Sequence, residues 1–297
     1  MITTIVNYCT NDYRYLPFTL GEAKKFSDHV IVVCADHFFD GQEENRHLLD
    51  HTYKNHPDVE FIEYAFDLKA PYGLYPRVRD DDLKGVQYWH STSRYIGYHY
   101  LPKDCEYVLF LDADEVADGD AMKKWLESGE YKQLDAVRFV CHFYFRSARQ
   151  RAMKETRCGL LVRKSALQSE TLLDVHERRG TFLSIRGDRL EDVRGLDGQP
   201  LFHHYSWVKT KQEAKRKVET WGHKNDRVWD LEIEREFSVK GLKEEMYHLN
   251  YEFVAPFCNP LSIKIPRNKV TGPFPNVKIT VPTKVLERSV DRLLNDR

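Results

Sequence analysis

Short, continuous apolar runs, separated by longer segments with helical periodicity, constrain the fold of this chain more than any other feature. The runs, rich in β-branched and aromatic residues, are 2–8, 30–34, 59–64 and 107–111. The helical segments between them are 16–26, 43–53 and 86–100. Strands without polar alternation are typical of parallel sheets that helices cover on both faces. The pattern therefore predicts an α/β fold with a mostly parallel sheet.

The alternation of apolar runs with helical segments ends after Asp114. A short helix is predicted over residues 121–126, and strand-like runs follow at 136–145 and 159–163 without a crossover helix between them. This order predicts a mixed or antiparallel half that continues the parallel one. We expect one catalytic domain over residues 1–207, with a C-terminal helical and extended region over residues 208–297 packed on it.

That C-terminal region has two features of its own. Residues 209–223 form a strongly basic helix candidate, and the stretch beyond residue 255 holds half of the 12 prolines. Prolines at this density favour an extended arm, which we expect to end in a helix that begins at Thr283. A charge run on a helix is usually a solvated face, and a phosphate-bearing ligand is the alternative for this one.

Composition narrows the class of protein. The formal net charge of −1 argues against a nucleic-acid-binding protein, so any phosphate binding should be local. The six cysteines are scattered, with no Cys-x-x-Cys pair, which favours free thiols and a cytoplasmic location. No apolar run is long enough to cross a bilayer, so a membrane role would be peripheral contact. No glycine-rich dinucleotide loop or P-loop is present.

The strongest motif is the segment 107–115, which reads Tyr-Val-Leu-Phe-Leu-Asp-Ala-Asp-Glu. Five apolar residues predict a buried strand, and acidic residues appear at its carboxyl end, where ligands bind in open α/β sheets. Two carboxylates at positions i and i+2, here Asp112 and Asp114, suit a hard cation such as Mn²⁺ or Mg²⁺. The alternative is that these acids only cap the helix that follows.

At this motif the chain resembles family 2 glycosyltransferases of the A-type fold, in the branch that carries Leu-Asp-Ala-Asp-Glu. Arg94 matches the Arg of an Arg-Asn pair that faces the donor in such enzymes, although Tyr95 replaces the Asn. Residues 175–177 match a Val-His-Glu motif, and residues 204–207, His-Tyr-Ser-Trp, match a later segment. The resemblance covers roughly residues 1–225.

The resemblance implies a metal-dependent, inverting glycosyltransferase that uses a nucleoside-diphosphate sugar as its donor. Asp112, Asp114 and His204 would be metal ligands, Asp112 and Arg94 would contact the donor, and Glu177 would be the catalytic base. Thr10, Asn11 and Asp12 stand where that fold touches the nucleotide, and Asp36 could bind the base or ribose. The second strand lacks the acidic-Gly-Ser-Thr run usual in the family, so the nucleotide stays open. A carbohydrate, lipid-linked sugar or protein could be the acceptor.

Other interpretations of the same residues stay open. Arg94 could be a surface cation, residues 176–177 a solvated turn, and His204 a core histidine. Asp174, Glu191 and Asp192 are rival candidates for the base. A sugar-1-phosphate nucleotidyltransferase would also use a parallel sheet with acidic ligands, but it should have a glycine-rich loop after the first strand, and residues 7–13 contain no glycine. A non-catalytic sugar-binding protein with the same fold is a further alternative.

Overall fold

The first half of the chain forms the predicted parallel α/β arrangement. The computed structural model describes residues 1–66, 86–174, 176–220, 227–238, 249–282 and 285. Its first elements are β1 (Ile2–Tyr8), α1 (Leu16–Ala23), β2 (His29–Ala35), α2 (Arg46–Asn55), β3 (Glu60–Tyr64), α3 (Val86–His99) and β4 (Tyr107–Asp112). Strand β1 pairs in parallel with β2 and β4, and β3 pairs in parallel with β2. The predicted order of strands and helices is confirmed.

The second half contains both parallel and antiparallel strands, as the change in sequence pattern after Asp114 predicts. Its elements are β5 (Glu115–Ala117), α4 (Gly119–Ser128), β6 (Ala136–Phe145), β7 (Gln150–Ala152), β8 (Thr156–Arg163), α5 (Glu177–Leu183), β9 (Leu190–Val193) and β10 (Phe202–Trp207). Strand β8 is antiparallel to both β4 and β6. Strand β10 runs parallel to β6 and antiparallel to β5. The short or polar strands β5, β9 and β10 have no apolar run to reveal them and were not predicted.

The C-terminal region contributes to the sheet itself. Its described elements are α6 (Lys211–Thr220), α7 (Trp229–Ser238), β11 (Tyr251–Phe253) and β12 (Val277–Thr280). Strand β12 pairs in parallel with β3 at the sheet edge, and β11 pairs with β7 at the opposite end. The helix predicted from Thr283 lies outside the described residues apart from Val285.

Helices cover both faces of the parallel strands. Side chains alternate across a strand, so Ile5 of β1 packs in the layer under α3 while Val6 packs in the layer under α1 and α2. Helix α3 lies very close to the sheet at Gly97, where an added Cβ would stand 2.7 Å from a methyl carbon of Ile5 and 2.9 Å from one of Val33. This close approach holds α3 directly against strands β1 and β2.

The helix that follows the acidic motif has its own cap. The carboxylate of Asp118 accepts a hydrogen bond from the backbone N–H of Ala121 at 2.9 Å, at the start of α4. The alternative that Asp112 and Asp114 only cap this helix is therefore wrong. None of the helices in the described ranges is both long and apolar enough to span a bilayer.

Candidate active site

A cavity of about 260 Å³ lies at the carboxyl edge of the parallel strands. Strands β1 and β4 end side by side there, with Asn7 opposite Asp112 in register. The predicted site residues that line this cavity are Asn11, Asp12, Asp112, Asp114, Glu177 and His204. The fold thus brings together side chains from segments far apart in the sequence, at the edge where open α/β sheets bind ligands.

The carboxylate of Asp112 is held by protein donors on both oxygens. Its Oδ1 accepts hydrogen bonds from Arg94 Nη2 at 3.1 Å and from Asn7 Nδ2 at 3.3 Å, and its Oδ2 accepts one from Arg178 Nη2 at 3.0 Å. Burial alone would raise the pKa of Asp112, but the guanidinium groups of Arg178 and Arg94 hold it well below its usual range. Asp112 is therefore a fixed anion inside a cationic shell.

Arg94 lies behind this wall and is not a surface cation. Its side chain is 1% exposed, on the face of α3 that the close packing at Gly97 holds against the sheet. It does not line the cavity itself, and it contacts two residues that do, Asp112 at 3.1 Å and the ring of His90 at 3.3 Å. The prediction that Arg94 itself contacts a donor stays untested.

Arg178 is a site residue that the sequence did not reveal. It follows Glu177 at the start of α5, and its guanidinium donates to both oxygens of the fully buried Glu115 as well as to Asp112. Coulombic attraction from these carboxylates raises the pKa of Arg178 in spite of the opposing effect of burial. The predicted Val-His-Glu motif is thereby tied to the acidic motif, although Val175 itself lies outside the described residues.

Asp114 has looser contacts than Asp112. Its side chain is 7% exposed, with Oδ2 3.3 Å from the Nζ of Lys217 and Oδ1 3.6 Å from Nε2 of His204. Burial alone would raise the pKa of Asp114, but the charges of Lys217 and His204 lower it. Lys217 comes from α6, inside the basic run that the sequence predicts to be a solvated face, with a phosphate-bearing ligand as the alternative.

His204 lies on β10, opposite Glu115. It lines the cavity with its side chain 23% exposed, so it is not enclosed in the core; its role as a metal ligand stays a prediction. Burial alone would lower its pKa, but a hydrogen bond with the thiol of Cys141 and the charge of Asp114 raise it to about 9. Its neighbour His203 instead stacks on Phe257, with ring centroids 4.2 Å apart.

Glu177 begins α5 with a backbone φ of 56°, in the left-handed region that residues other than glycine rarely adopt. Its Oε1 lies 3.2 Å from Nδ1 of His90, whose Nε2 lies 3.5 Å from Oδ1 of Asp112. His90 also lines the cavity and was missed in the sequence, where it stands beside the apolar stripe of α3. Strained backbone at a cavity wall is typical of functional positions.

The turn after β1 supplies a second wall. Residues Thr10–Asp12 form a 3₁₀ turn in which Asn11 and Asp12 face the cavity. Asn11 donates to Thr220 Oγ1 at 2.9 Å, and Asp12 accepts from the ammonium of Lys209 at 2.9 Å. Thr10 does not line the cavity, because its N–H and hydroxyl both donate to the buried carboxyl of Glu44.

Two aromatic side chains, Phe38 and Phe39, line the cavity beyond the end of β2. Phe39 packs edge-on against His90 with a centroid distance of 5.0 Å, and the guanidinium of Arg216 lies 5.2 Å from the Phe38 ring centroid. Asp36, which we expected near the base or ribose, is outside the lining. Its Oδ1 accepts instead from His37 Nδ1 at 2.9 Å and from the N–H of Phe66 at 3.0 Å.

The predicted metal ligands differ in how well they suit a cation. Across the described ranges, no three His, Cys, Asp or Glu side chains converge on a ready-made metal site. Asp112 does not fit, because Arg94, Asn7 and Arg178 occupy its oxygens. Asp114 and His204 do fit: their facing atoms are 3.6 Å apart, too far for a hydrogen bond. Mg²⁺-like ions commonly take few protein ligands and complete their shell with phosphate oxygens and water.

Comparison with known proteins gives only distant similarity. No protein-family model and no curated protein matches the chain. Among solved structures, a 4-diphosphocytidyl-2C-methyl-D-erythritol synthase from Anaerococcus prevotii has a TM-score of 0.40 at 12% identity, covering 72% of this chain and 94% of its own. A mannosyltransferase from Pyrobaculum calidifontis, solved with GDP-Man and Mn²⁺, has a TM-score of 0.40 at 10% identity, covering 73% of this chain and 59% of its own.

A third structure is that of S. aureus TarS 1-349 in complex with UDP. It has a TM-score of 0.36 at 12% identity, and the match covers 80% of this chain and 72% of TarS 1-349. Similarities of this size say nothing about what this chain binds. The function proposed below therefore depends on the cavity and the side chains around it.

Proposed function

We propose that this chain transfers a glycosyl group from a nucleoside-diphosphate sugar to an acceptor hydroxyl. The observation that carries the proposal is the convergence of two kinds of group on one cavity. Asp114, His204 and Lys217 form a charged wall suited to a diphosphate, and Glu177 supplies a carboxylate in the same cavity. Glycosyl transfer needs both: charge neutralisation at the leaving group and a base at the acceptor.

The nucleoside would lie between the turn after β1 and the loop after β2. Asn11 and Asp12 offer polar groups for the ribose or base, and Phe38 and Phe39 offer apolar ring surface. Aromatic faces stack on any nucleobase, so this wall supports nucleotide binding without selecting uracil or guanine. The choice of Asp36 as a base contact loses support, because its carboxylate is engaged outside the cavity lining.

Asp114 and His204 are the residues that would hold Mn²⁺ or Mg²⁺ in this proposal. Such an ion, when bound, supplies positive charge that neutralises phosphate oxygens. His204 must give up its proton to coordinate through Nε2, which couples its protonation to cation binding. Asp112, whose oxygens accept hydrogen bonds from Arg94 and Arg178, would orient these two guanidinium groups at the cavity wall.

Glu177 is the proposed base. As the acceptor oxygen forms its bond to the anomeric carbon, the bond from that carbon to the diphosphate breaks and the hydroxyl proton passes to Glu177. This direct displacement inverts the anomeric configuration and passes through an oxocarbenium-like transition state. The ring of His90 beside Oε1 keeps the carboxylate at the cavity wall. The acceptor class stays open among carbohydrates, lipid-linked sugars and proteins.

A thermal-shift and hydrolysis screen tests the proposal. UDP or GDP should stabilise the native protein more in Mn²⁺ than in EDTA. The total stabilisation relative to ligand-free protein is about 2.7 kcal/mol at a hundredfold excess over the dissociation constant. Slow donor hydrolysis without acceptor should accompany binding. Asp114→Asn should abolish the Mn²⁺-dependent part of nucleoside-diphosphate binding. Asp58→Asn is the control and should not change it, because Asp58 is a surface carboxylate 2.6 Å from Lys24.

Three results would contradict the proposal. Absence of any nucleoside-diphosphate binding would exclude the donor class. Binding without donor hydrolysis or transfer to any offered acceptor would favour a non-catalytic sugar-binding protein. Formation of a nucleotide-sugar from a nucleoside triphosphate and a sugar 1-phosphate would favour the nucleotidyltransferase.

A further inference from the structure

Lys217 places a positive charge in the wall of the cavity. Its side chain is 8% exposed, and its Nζ lies 2.6 Å from Ser206 Oγ and 3.3 Å from Asp114 Oδ2. A buried ammonium carries a large desolvation penalty, so its retention in a cavity wall needs a reason. Its contacts with Asp114 and with the hydroxyl and carbonyl of Ser206 offset part of this penalty, and its position in the lining brings the ammonium to the cavity.

The carboxylates of the cavity differ in how tightly their basic partners hold them. Ordinary N–H···O hydrogen bonds span about 2.7 to 3.2 Å. Arg178 meets Asp112 at 3.0 Å and Lys209 meets Asp12 at 2.9 Å, within that range. Asp114 has the longest of these contacts, with a hydrogen bond of 3.3 Å from Lys217 and a distance of 3.6 Å to Nε2 of His204. The contact between Lys217 and Asp114 is therefore the one that we expect to exchange for a ligand.

Helix α6, which carries Lys217, is tied to the turn after β1. Arg14 Nε donates to Glu213 Oε1 at 2.7 Å, and Asn11 Nδ2 donates to Thr220 at 2.9 Å. Lys209, just before the helix, bonds both the backbone carbonyl of Asn11 and the carboxylate of Asp12. The ammonium of Lys217 is thus held beside the loop that is proposed to bind the nucleoside. An anion attached to that nucleoside would meet it without rearrangement of the helix.

We infer that Lys217 is the protein's own cation for the diphosphate of the donor, exchanging its loose contact with Asp114 for phosphate oxygens when the donor binds. The inference rests on the proposed function and adds a specific residue to it. Asp114 Oδ2 is released in the same exchange, so one carboxylate serves Lys217 before binding and a divalent cation afterwards. Diphosphate binding then keeps a component that needs no metal.

Calorimetric titration with UDP, GDP and the corresponding nucleosides, in EDTA and in Mn²⁺, tests this inference. Lys217→Met should weaken diphosphate binding in EDTA by about 10- to 100-fold, the contribution of a charge-assisted hydrogen bond, and leave nucleoside binding unchanged. Lys217→Arg should retain most of the affinity. The control is Lys211→Met on the same helix, where the ammonium is exposed and 2.6 Å from Glu234.

Asp114→Asn and the double variant Asp114→Asn/Lys217→Met separate binding from stability. In EDTA the single Asp114 variant should bind diphosphate as well as or better than the wild type, because a negative charge is removed and Lys217 is freed. The double variant removes both buried charges together, so folding is preserved while diphosphate binding falls as in Lys217→Met.

The outcomes are distinguishable. If the wild type binds UDP or GDP and the Lys217 variants bind them equally well in EDTA, the inference is wrong and the proposed function stands. If the loss extends equally to the nucleosides, Lys217 has only a structural role and the inference is again wrong. If the wild type binds no nucleoside diphosphate, the proposed function itself fails.

Discussion

Nδ1 of His90 lies 3.2 Å from Oε1 of Glu177, so a helix of the parallel half holds the carboxylate that the following half contributes to the cavity. Nε2 of the same ring faces Asp112. Burial and the nearby Arg94 would lower the pKa of His90, but the two carboxylates raise it. His90 therefore connects the proposed base to the anion at the end of β4.

Glu177→Gln should reduce glycosyl transfer by about 100- to 10,000-fold, the usual contribution of a general base. Donor affinity should stay near that of the wild type, because the amide keeps the size and hydrogen bonding of the side chain. Single-turnover assays with donor and acceptor measure the loss. Glu191→Gln, on the exposed surface of β9, is the matched control. Full activity in Glu177→Gln would remove the base assignment.

The rival carboxylates are engaged elsewhere. Asp192 accepts hydrogen bonds from Arg138 and Arg157, and Asp174 Oδ1 accepts from the N–H of His176. Neither of them lines the cavity, and Glu191 does not line it either. If Asp192→Asn abolishes glycosyl transfer while Glu177→Gln stays active, the catalytic base lies in the segment of Glu191 and Asp192.

His90→Phe should lower kcat by up to about 100-fold, since small misplacement of a catalytic group has costs of this size. KM for the donor should change little, because His90 is expected to position Glu177 and not to bind the diphosphate. Steady-state kinetics separate the two effects. His29→Phe, on a half-buried ring paired with Glu60 far from the cavity, is the control. A variant that raises KM with kcat unchanged would make His90 a donor contact instead.

Phe38→Leu and Phe39→Leu should each weaken binding of all nucleotides by about 5- to 100-fold, corresponding to a base stack worth roughly 1–3 kcal/mol. Leucine keeps most of the buried volume, so the fold should persist. Calorimetry with several nucleotides measures the effect, and Phe66→Leu, outside the cavity lining, serves as the control. Selective loss of one nucleotide alone would contradict a purely stacking role.

Glu44 should make stability depend on pH. Burial raises its pKa to about 7 from an ordinary value of 4.5. A carboxyl with a raised folded pKa stabilises the native state fully below pH 4.5, and this contribution disappears as pH rises through 7. At about 1.4 kcal/mol per pKa unit, the loss is about 3 kcal/mol.

Urea unfolding at pH 5 and pH 8 measures this difference. Glu44→Gln should remove most of it, because the amide does not ionise, whereas Glu43→Gln on the adjacent exposed residue should leave it intact. Equal pH dependence in the wild type and in Glu44→Gln would show that another group is responsible.

Sequence patterns predict the parts of this structure that depend on residues close together in the chain. The apolar run before Asp112 predicts a buried strand, and strand direction then places Asp112 and Asp114 at the ligand-binding edge. The position of His90 in the cavity lining could not be predicted in this way, because helical periodicity identifies the apolar stripe of α3 but not which polar neighbour faces a cavity. The position of Thr10 outside the lining could not be predicted either, because its hydrogen-bond partner Glu44 comes from a loop 34 positions away.

Long-range contacts explain the remaining differences. Lys217 sits in a basic run that composition alone cannot separate from a solvated face, and its contact with Asp114 spans 103 positions. The roles of Asp112 and Arg178 depend on how β4 and α5 meet, which no local pattern records. The position of Asp112 and Asp114 at the sheet edge was therefore predictable from one segment, whereas the contacts made between distant segments were not.

The position of β12 has a consequence for synthesis of the chain. The side chain of Asn276, at the start of this strand, donates to the carbonyl of Val59 beside β3, 217 positions earlier. Ribosomes add about 5–20 residues per second, so the edge of β3 stays unpaired for on the order of 10 to 40 s before β12 is synthesised. An unpaired strand edge can recruit another chain. The nascent protein thus passes through a period in which the parallel half of the sheet is exposed to mispairing, and a chaperone that shields this edge would act before residue 277 emerges.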